Sequence, residues 1–166
     1  MYNNLKNNVI LALLLIERKD NMDEIDLSII KALQKDGKMS MTRLGKEVSL
    51  SQPAVTERVK RLEESGVIQR YGIVVNASRV QKPVSAFLLF QAKNCNDFVR
   101  YCENIEDVLE IHRISGQYNF LVKLIAGSLV HLEETINDLG QHGESTTLVV
   151  LSTPLENRPI IPLMNR

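Results

Sequence analysis

The sequence predicts an α+β protein: an N-terminal winged helix-turn-helix domain followed by a C-terminal ferredoxin-like βαββαβ domain. Two observations carry the first half. Residues 40–68, SMTRLGKEVSLSQPAVTERVKRLEESGVI, hold two short amphipathic stretches joined by the turn Ser49-Leu50-Ser51, and a third such stretch precedes them at DEIDLSIIKALQKDGK. The second half rests on a third observation. Beyond Lys82-Pro83, segments with strand character and segments with helical character follow one another in the order β-α-β-β-α-β.

Taken in chain order, the first 21 residues stand apart. Val9 to Ile16, VILALLLI, is an unbroken apolar run, far shorter than the ~20 residues a membrane-spanning helix needs. It has the length of a signal-peptide core behind Lys6, but Glu17-Arg18-Lys19-Asp20 follows where small residues should mark a cleavage site. A further helix packed on a partner subunit is another reading. The preferred expectation is that the natural chain starts at Met22, because Glu-Arg-Lys-Asp can be encoded almost wholly by purines, as a ribosome-binding tract would be. An intact mass beginning at Met1 would contradict it.

Asp23 is placed to cap a helix with Asp26 in its first turn, and Ile25, Ile29, Ile30 and Leu33 give that helix one apolar face until Gly37. Ser40 caps a second helix that buries Leu44 and Val48. The third helix starts at Gln52-Pro53, where the missing proline N–H costs nothing. Val55, Val59 and Leu62 follow its i, i+4, i+7 pattern inward, and Gly66 ends it. Val67, Ile68, Tyr71, Ile73 and Val75 read as strand material for a small wing or hinge. The expected organisation is an extension over 1–21, a helix-turn-helix domain over 22–68, a linker over 69–83, the second domain over 84–155 and a tail over 156–166.

In the second domain the expected elements are strands over Val84–Ala92, Val108–Ile114, Asn119–Ala126 and Thr146–Ser152, with helices over Asp97–Asn104 and Leu129–Leu139. Two helices on one face of a four-stranded antiparallel sheet leave the other face bare. Leu88, Phe90, Phe120, Val122, Leu148 and Val150 supply apolar side chains for both faces. A bare apolar face calls for a partner, most economically a second copy of the chain.

Charge narrows the function. The formal net charge is zero, which excludes a coat protein that binds nucleic acid by global basicity. Between Lys38 and Leu62, however, six basic residues stand against two acidic ones. Short polar side chains at the start of the third helix (Ser51, Gln52, Pro53 as its opener, Thr56 and Glu57) are placed to read base edges of double-stranded DNA. Arg43, Lys46, Arg58, Lys60 and Arg61 are candidates for phosphate contacts. A lone charged helix would more often be a solvated surface, but a preceding helix at this turn length reverses the odds. Cys95 and Cys102 have no partner at metal-site spacing and read as free thiols of a reducing compartment, the cytoplasm. No metal site, cofactor, catalytic constellation or membrane partner is expected, and the chain does not read as an enzyme.

The runs DEIDLSIIKALQKDGK, LSQPAVTERVKRLEESGVI and ISGQYNFLVKL, the last inside a ferredoxin-like domain, resemble the leucine-responsive regulator/asparagine regulator (Lrp/AsnC) family over residues 22 to about 155. The resemblance implies a transcriptional regulator that binds DNA through its first domain and an amino-acid effector through its second, as a homodimer or as an octamer. It places an effector loop at Gly116-Gln117-Tyr118-Asn119, where the family typically has an acid at the last position. Backbone N–H groups near Gly116 would hold a carboxylate. Asn119 offers an ammonium only a neutral amide oxygen, so weak or absent binding is expected, strengthened by Asn119→Asp. Tyr118 belongs to the same loop, and Ser145, Thr146 and Thr147 would add hydroxyls. An equally weighted reading is that Gly116 merely turns a hairpin and the threonines favour a strand.

Two further readings belong to other classes. Siroheme decarboxylases share this build and use His and Arg on a bound tetrapyrrole, which singles out His112-Arg113. His131 and His142 have no motif partner. A stand-alone amino-acid sensor, with the first domain only an assembly arm, is the other.

Overall fold

The computed structural model describes residues 22–162. The expectations for residues 1–21 lie outside them. The chain divides into two compact units: one ends at Ile73 and takes the chain back from Asn157 onward, and the other spans Val74–Glu156.

The first unit is built from three helices, α1 (Glu24–Lys35), α2 (Met41–Glu47) and α3 (Gln52–Glu64). Asp23 and Asp26 form a reciprocal capping box, each side chain accepting the other residue's backbone N–H. Ser40 and Ser51 cap α2 and α3, each accepting a backbone N–H of the first turn. The apolar faces meet in one core, in which Ile29, Leu44 and Val55 are fully buried. Gly66 ends α3 with φ at 78°, and the Ile68 N–H then returns to the Leu62 carbonyl.

The strand expected for a wing or hinge is not formed: among the described residues the first unit contains no strand. Val67 and Ile68 pack on the helical core instead, while Tyr71, Ile73, Val74 and Val75 are exposed and belong to no regular element. Alternation made this run look like a strand, but no second segment among the described residues pairs with it. Tyr71 donates its hydroxyl to Glu63 at 2.8 Å, and partial desolvation of that hydroxyl together with the carboxylate pushes its phenol up to about 12.

The second unit opens with a short 3-10 turn (Ala77–Val80), followed by β1 (Val84–Ala92), α4 (Cys95–Cys102), β2 (Val108–Arg113), β3 (Phe120–Ala126), α5 (Leu129–Gly140) and β4 (Gly143–Val149). The sheet order is β2-β3-β1-β4 and every pairing is antiparallel. This is the expected ferredoxin-like arrangement, with small shifts at element ends that have local causes. Helix α4 starts two residues early because the Asn94 side chain caps it, accepting the N–H groups of Asn96 and Asp97. Strand β4 starts at Gly143, opposite Ala92. A Cβ at Gly143 would lie 2.2 Å from the Gln91 carbonyl oxygen, so that close pairing requires glycine.

Alternation sorts the faces. Ala86, Leu88, Phe90 and Ala92 of β1 and Phe120, Val122, Leu124 and Ala126 of β3 are buried with Phe98, Cys102, Leu132 and Leu139 of the two helices. Phe90 and Phe98 stack with centroids 4.1 Å apart. Of the six apolar residues offered for both faces, Leu88, Phe90, Phe120 and Val122 all serve the covered one. The bare face carries Phe87, Leu89, Leu121 and Ile125, each partly exposed, and the exposed Leu148.

Candidate nucleic-acid interface and effector loop

Helix α3 is held by its apolar face, so its other side faces solvent. Gln52, Pro53, Thr56, Glu57, Lys60 and Arg61 are all exposed, as is Ser51 just before it. Two features set how α2 meets α3. Ser49 takes φ of 58° in the turn, a left-handed conformation. Gly45 lies so close to that turn that a Cβ there would meet the Leu50 carbonyl oxygen at 2.7 Å. Sequence reasoning passed over Gly45; its signal was a glycine inside an otherwise helical pattern.

The first turn of α3 is organised before any ligand arrives. Thr42 of α2 donates its hydroxyl to Gln52 Oε1 at 3.0 Å, and the Thr56 hydroxyl donates to the Gln52 carbonyl at 2.8 Å. The Gln52 Nε2 donors are thereby aimed by a neighbour and, among the described residues, not engaged. Such donors suit the acceptors that purines display in the major groove. Thr42, also missed in the sequence, carries no local signal because it acts across ten positions.

The basic residues do not all have the same task. Lys46 and Lys60 are exposed, Lys60 only 3.6 Å from Glu64 one turn on. Arg43 is two-thirds exposed beside Asp36 at 3.1 Å, and Arg61 is similarly exposed with one nitrogen 3.5 Å from Asp26. Arg58 differs. Its guanidinium donates to both Asp23 oxygens at 2.9 and 2.8 Å and to Asp26 Oδ1 at 2.8 Å. Arg58 thus fastens α3 to the capping box of α1, which leaves its guanidinium less free for the expected phosphate contact than those of Arg43 and Arg61. Hydrogen bonds from Arg58 to Asp26 and Asp23 raise its pKa further. The Asp26 N–H, and then Arg58, hold the Asp23 carboxyl below its ordinary range.

In the second unit, Gly116 takes φ of 127°, a conformation open to glycine, and leaves the loop backbone uncovered. The Tyr118 hydroxyl lies 2.8 Å from the Thr146 hydroxyl, joining the loop to β4. Register puts Thr146 on the bare face opposite Leu89, and Ser145 and Thr147 on the helix side opposite Phe90 and Leu88. Asn119 is committed to β1: its Oδ1 accepts the Ala92 N–H at 2.9 Å and its Nδ2 donates to the Ala92 carbonyl at 3.2 Å. An effector's ammonium would have to share that amide oxygen with the Ala92 N–H. These bonds weigh against the expectation that Asn119→Asp would strengthen binding, since a carboxylate would set a second oxygen against the Ala92 carbonyl.

The three histidines are apart. His112 lies 2.9 Å from Glu110, which Lys123 also bonds at 2.9 Å; these contacts, Lys123 first, lower the Glu110 pKa. Arg113 stacks over the Phe120 ring, His131 meets Asp107 at 3.0 Å, and His142 lies against Tyr101. His112 and Arg113 thus sit in separate contacts on an edge strand.

Comparison with known proteins agrees with both halves. Residues 22–63 match the AsnC-type helix-turn-helix domain and residues 86–160 the Lrp/AsnC ligand binding domain. An uncharacterized HTH-type transcriptional regulator of Bacillus subtilis, YezC, is 41% identical over 132 residues, covering 80% of this chain and 95% of its own. LrpC of the same organism, also an HTH-type transcriptional regulator, is 35% identical over 133 residues, covering 79% and 92%. The solved structure of LrpC superposes with a TM-score of 0.77 over 80% of this chain and 96% of that one. That of the leucine response regulatory protein LrpA of Mycobacterium tuberculosis, 27% identical, superposes with a TM-score of 0.72 over 85% and 100%. The helix-turn-helix, the ferredoxin-like domain and these matches together show that the chain belongs to the Lrp/AsnC family.

Proposed function

We propose that the protein is a sequence-specific DNA-binding transcriptional regulator, acting as a dimer, whose second domain answers to a small ligand of the amino-acid class. The observation that carries the reading is α3: apolar residues fix one face, and Gln52, Thr56, Glu57, Lys60 and Arg61 stand exposed on the other with Lys46 and Arg43 beside them. Base reading falls to Ser51, Gln52, Thr56 and Glu57, and phosphate contact to Arg43, Lys46, Lys60 and Arg61. The relatives named as transcriptional regulators support the same role. Selection from random duplexes tests it, and enrichment of one two-fold-related motif is the expected result.

Dimerisation follows from the bare sheet face, where Phe87, Leu89, Leu121, Ile125 and Leu148 form an apolar surface that a second copy would cover. Light scattering at micromolar concentration is expected to give twice the chain mass. Among the described residues no helix is long and apolar enough to cross a membrane; the proposed DNA partner supports a cytoplasmic location.

For the effector, the backbone at Gly116, the Tyr118 hydroxyl and the hydroxyls of Ser145, Thr146 and Thr147 remain the candidate groups. A ligand bound only by the folded protein raises the melting temperature by mass action. A thermal-shift screen of the common amino acids is expected to find a stabiliser whose effect Tyr118→Phe weakens. Asn119→Asp is expected to lower the melting temperature without ligand and to leave the choice of amino acid unchanged. A new preference gained with Asp would contradict this assignment of Asn119.

A further inference from the structure

We propose that the helix-turn-helix unit carries a groove for an extended, proline-flanked peptide, and that its occupant is the chain's own segment Asn157–Pro162, seated as a removable strap. The recognition is of main chain. Gln34 on α1 donates its Nε2 to the Ile160 carbonyl at 2.9 Å and accepts the Ile160 N–H on Oε1 at 2.8 Å. One carboxamide thus satisfies both polar groups of a single residue, as a neighbouring strand would. The Ile160 and Ile161 side chains stay exposed, so side-chain burial does not explain the seating.

The segment is made for this. Asn157 takes φ of 50°, a left-handed conformation that asparagine tolerates, at the point where the chain rejoins the first unit. Pro159 and Pro162 bracket Ile160-Ile161 in the sequence Pro-Ile-Ile-Pro. Each proline fixes φ and lacks an N–H, so the bracket is held extended and cannot extend a ladder beyond its two central residues. The seated segment borders an open cavity of about 560 Å³, with Leu33, Gln34, Ile68 and Tyr71 on the helical side and Ile160 and Pro162 on its own. The Gln34 carboxamide reads the backbone of the proline-bracketed pair, and the open space beside it leaves the segment free to lift away.

The test uses the full chain and amide exchange followed by NMR. The Ile160 N–H is expected to exchange at least tenfold more slowly than that of Ile161, and Gln34→Ala to abolish the difference. Alanine at this exposed helical position favours the helix, so the variant stays folded. Ile160→Pro, which deletes the N–H in the strap, is expected to shift the Gln34 side-chain amide signals and those of Tyr71. Exchange at Ile160 unaffected by Gln34→Ala would overturn the proposal. So would protection that grows with protein concentration, because the segment would then be seated on a second copy.

Discussion

Arg58→Ala is expected to cost the helix-turn-helix unit a large share of its stability, although the residue sits among candidate DNA contacts. Removing the guanidinium leaves the Asp26 carboxylate, only 5% exposed, without its main partner. Breaking a buried pair from one side typically costs ~3–5 kcal/mol. The low end, about 3 kcal/mol, applies here, because Asp26 keeps the Asp23 N–H and has Arg61 at 3.5 Å. That is a large share for a unit with one small core, since whole domains hold only ~5–15 kcal/mol. Urea unfolding followed by circular dichroism, without DNA, checks the prediction. Lys60→Ala is the control, expected to change stability by less than ~0.5 kcal/mol while weakening DNA binding at every sequence. Replacing Arg58 and Asp26 together with apolar residues of similar size should recover much of the stability that Arg58→Ala removes.

Gly45→Ala is expected to damage DNA binding more than it damages folding. Alanine would gain up to ~1 kcal/mol of helix propensity, yet its Cβ would lie 2.7 Å from the Leu50 carbonyl oxygen, a backbone atom with little room to move. The Leu50 N–H also bonds the Gly45 carbonyl at 2.8 Å, so the turn cannot shift without breaking that bond. Overpacking of this kind costs ~1–3 kcal/mol and here displaces α3 relative to α2. Gly140→Ala, at the end of α5 with open space around it, should stabilise the protein slightly or leave it unchanged. Equal DNA affinity for Gly45→Ala and the unaltered protein would show that the approach of the two helices is not fixed at this position.

What was legible in the sequence is what short-range rules govern. The three helices followed from Ile29, Leu44, Val55, Val59 and Leu62 at helical spacing, and their starts from Asp23, Ser40 and Gln52-Pro53. The order of elements in the second unit followed from alternation and from turns at glycine. What was not legible depends on partners far along the chain. Arg58 looks like every other basic residue of α3 until Asp23 and Asp26, 35 and 32 positions away, are brought beneath it. Asn119 looked like a weakened effector ligand because its bond to Ala92 spans 27 positions. Alternation at Tyr71, Ile73 and Val75 marks strand character, but nothing in that pattern says whether a partner strand exists in the same chain. Gln34 and Ile160, 126 positions apart, gave no sign at all.

The central claim is that α3 reads sequence while the lysines and arginines around it supply sequence-independent affinity. Binding of a selected duplex and of a scrambled one, each titrated against salt with the unaltered protein, Gln52→Ala and Lys60→Ala, tests it most directly. The selected duplex should carry two half-sites about one helical turn, ~34 Å, apart or a multiple of that. Gln52→Ala should weaken the selected duplex by ~1–3 kcal/mol and leave the scrambled one unchanged. Lys60→Ala should weaken both and reduce the salt slope by ~1 for each phosphate left without its cation. Equal affinity of the unaltered protein for the two duplexes, or weaker binding of both with Gln52→Ala, would contradict it.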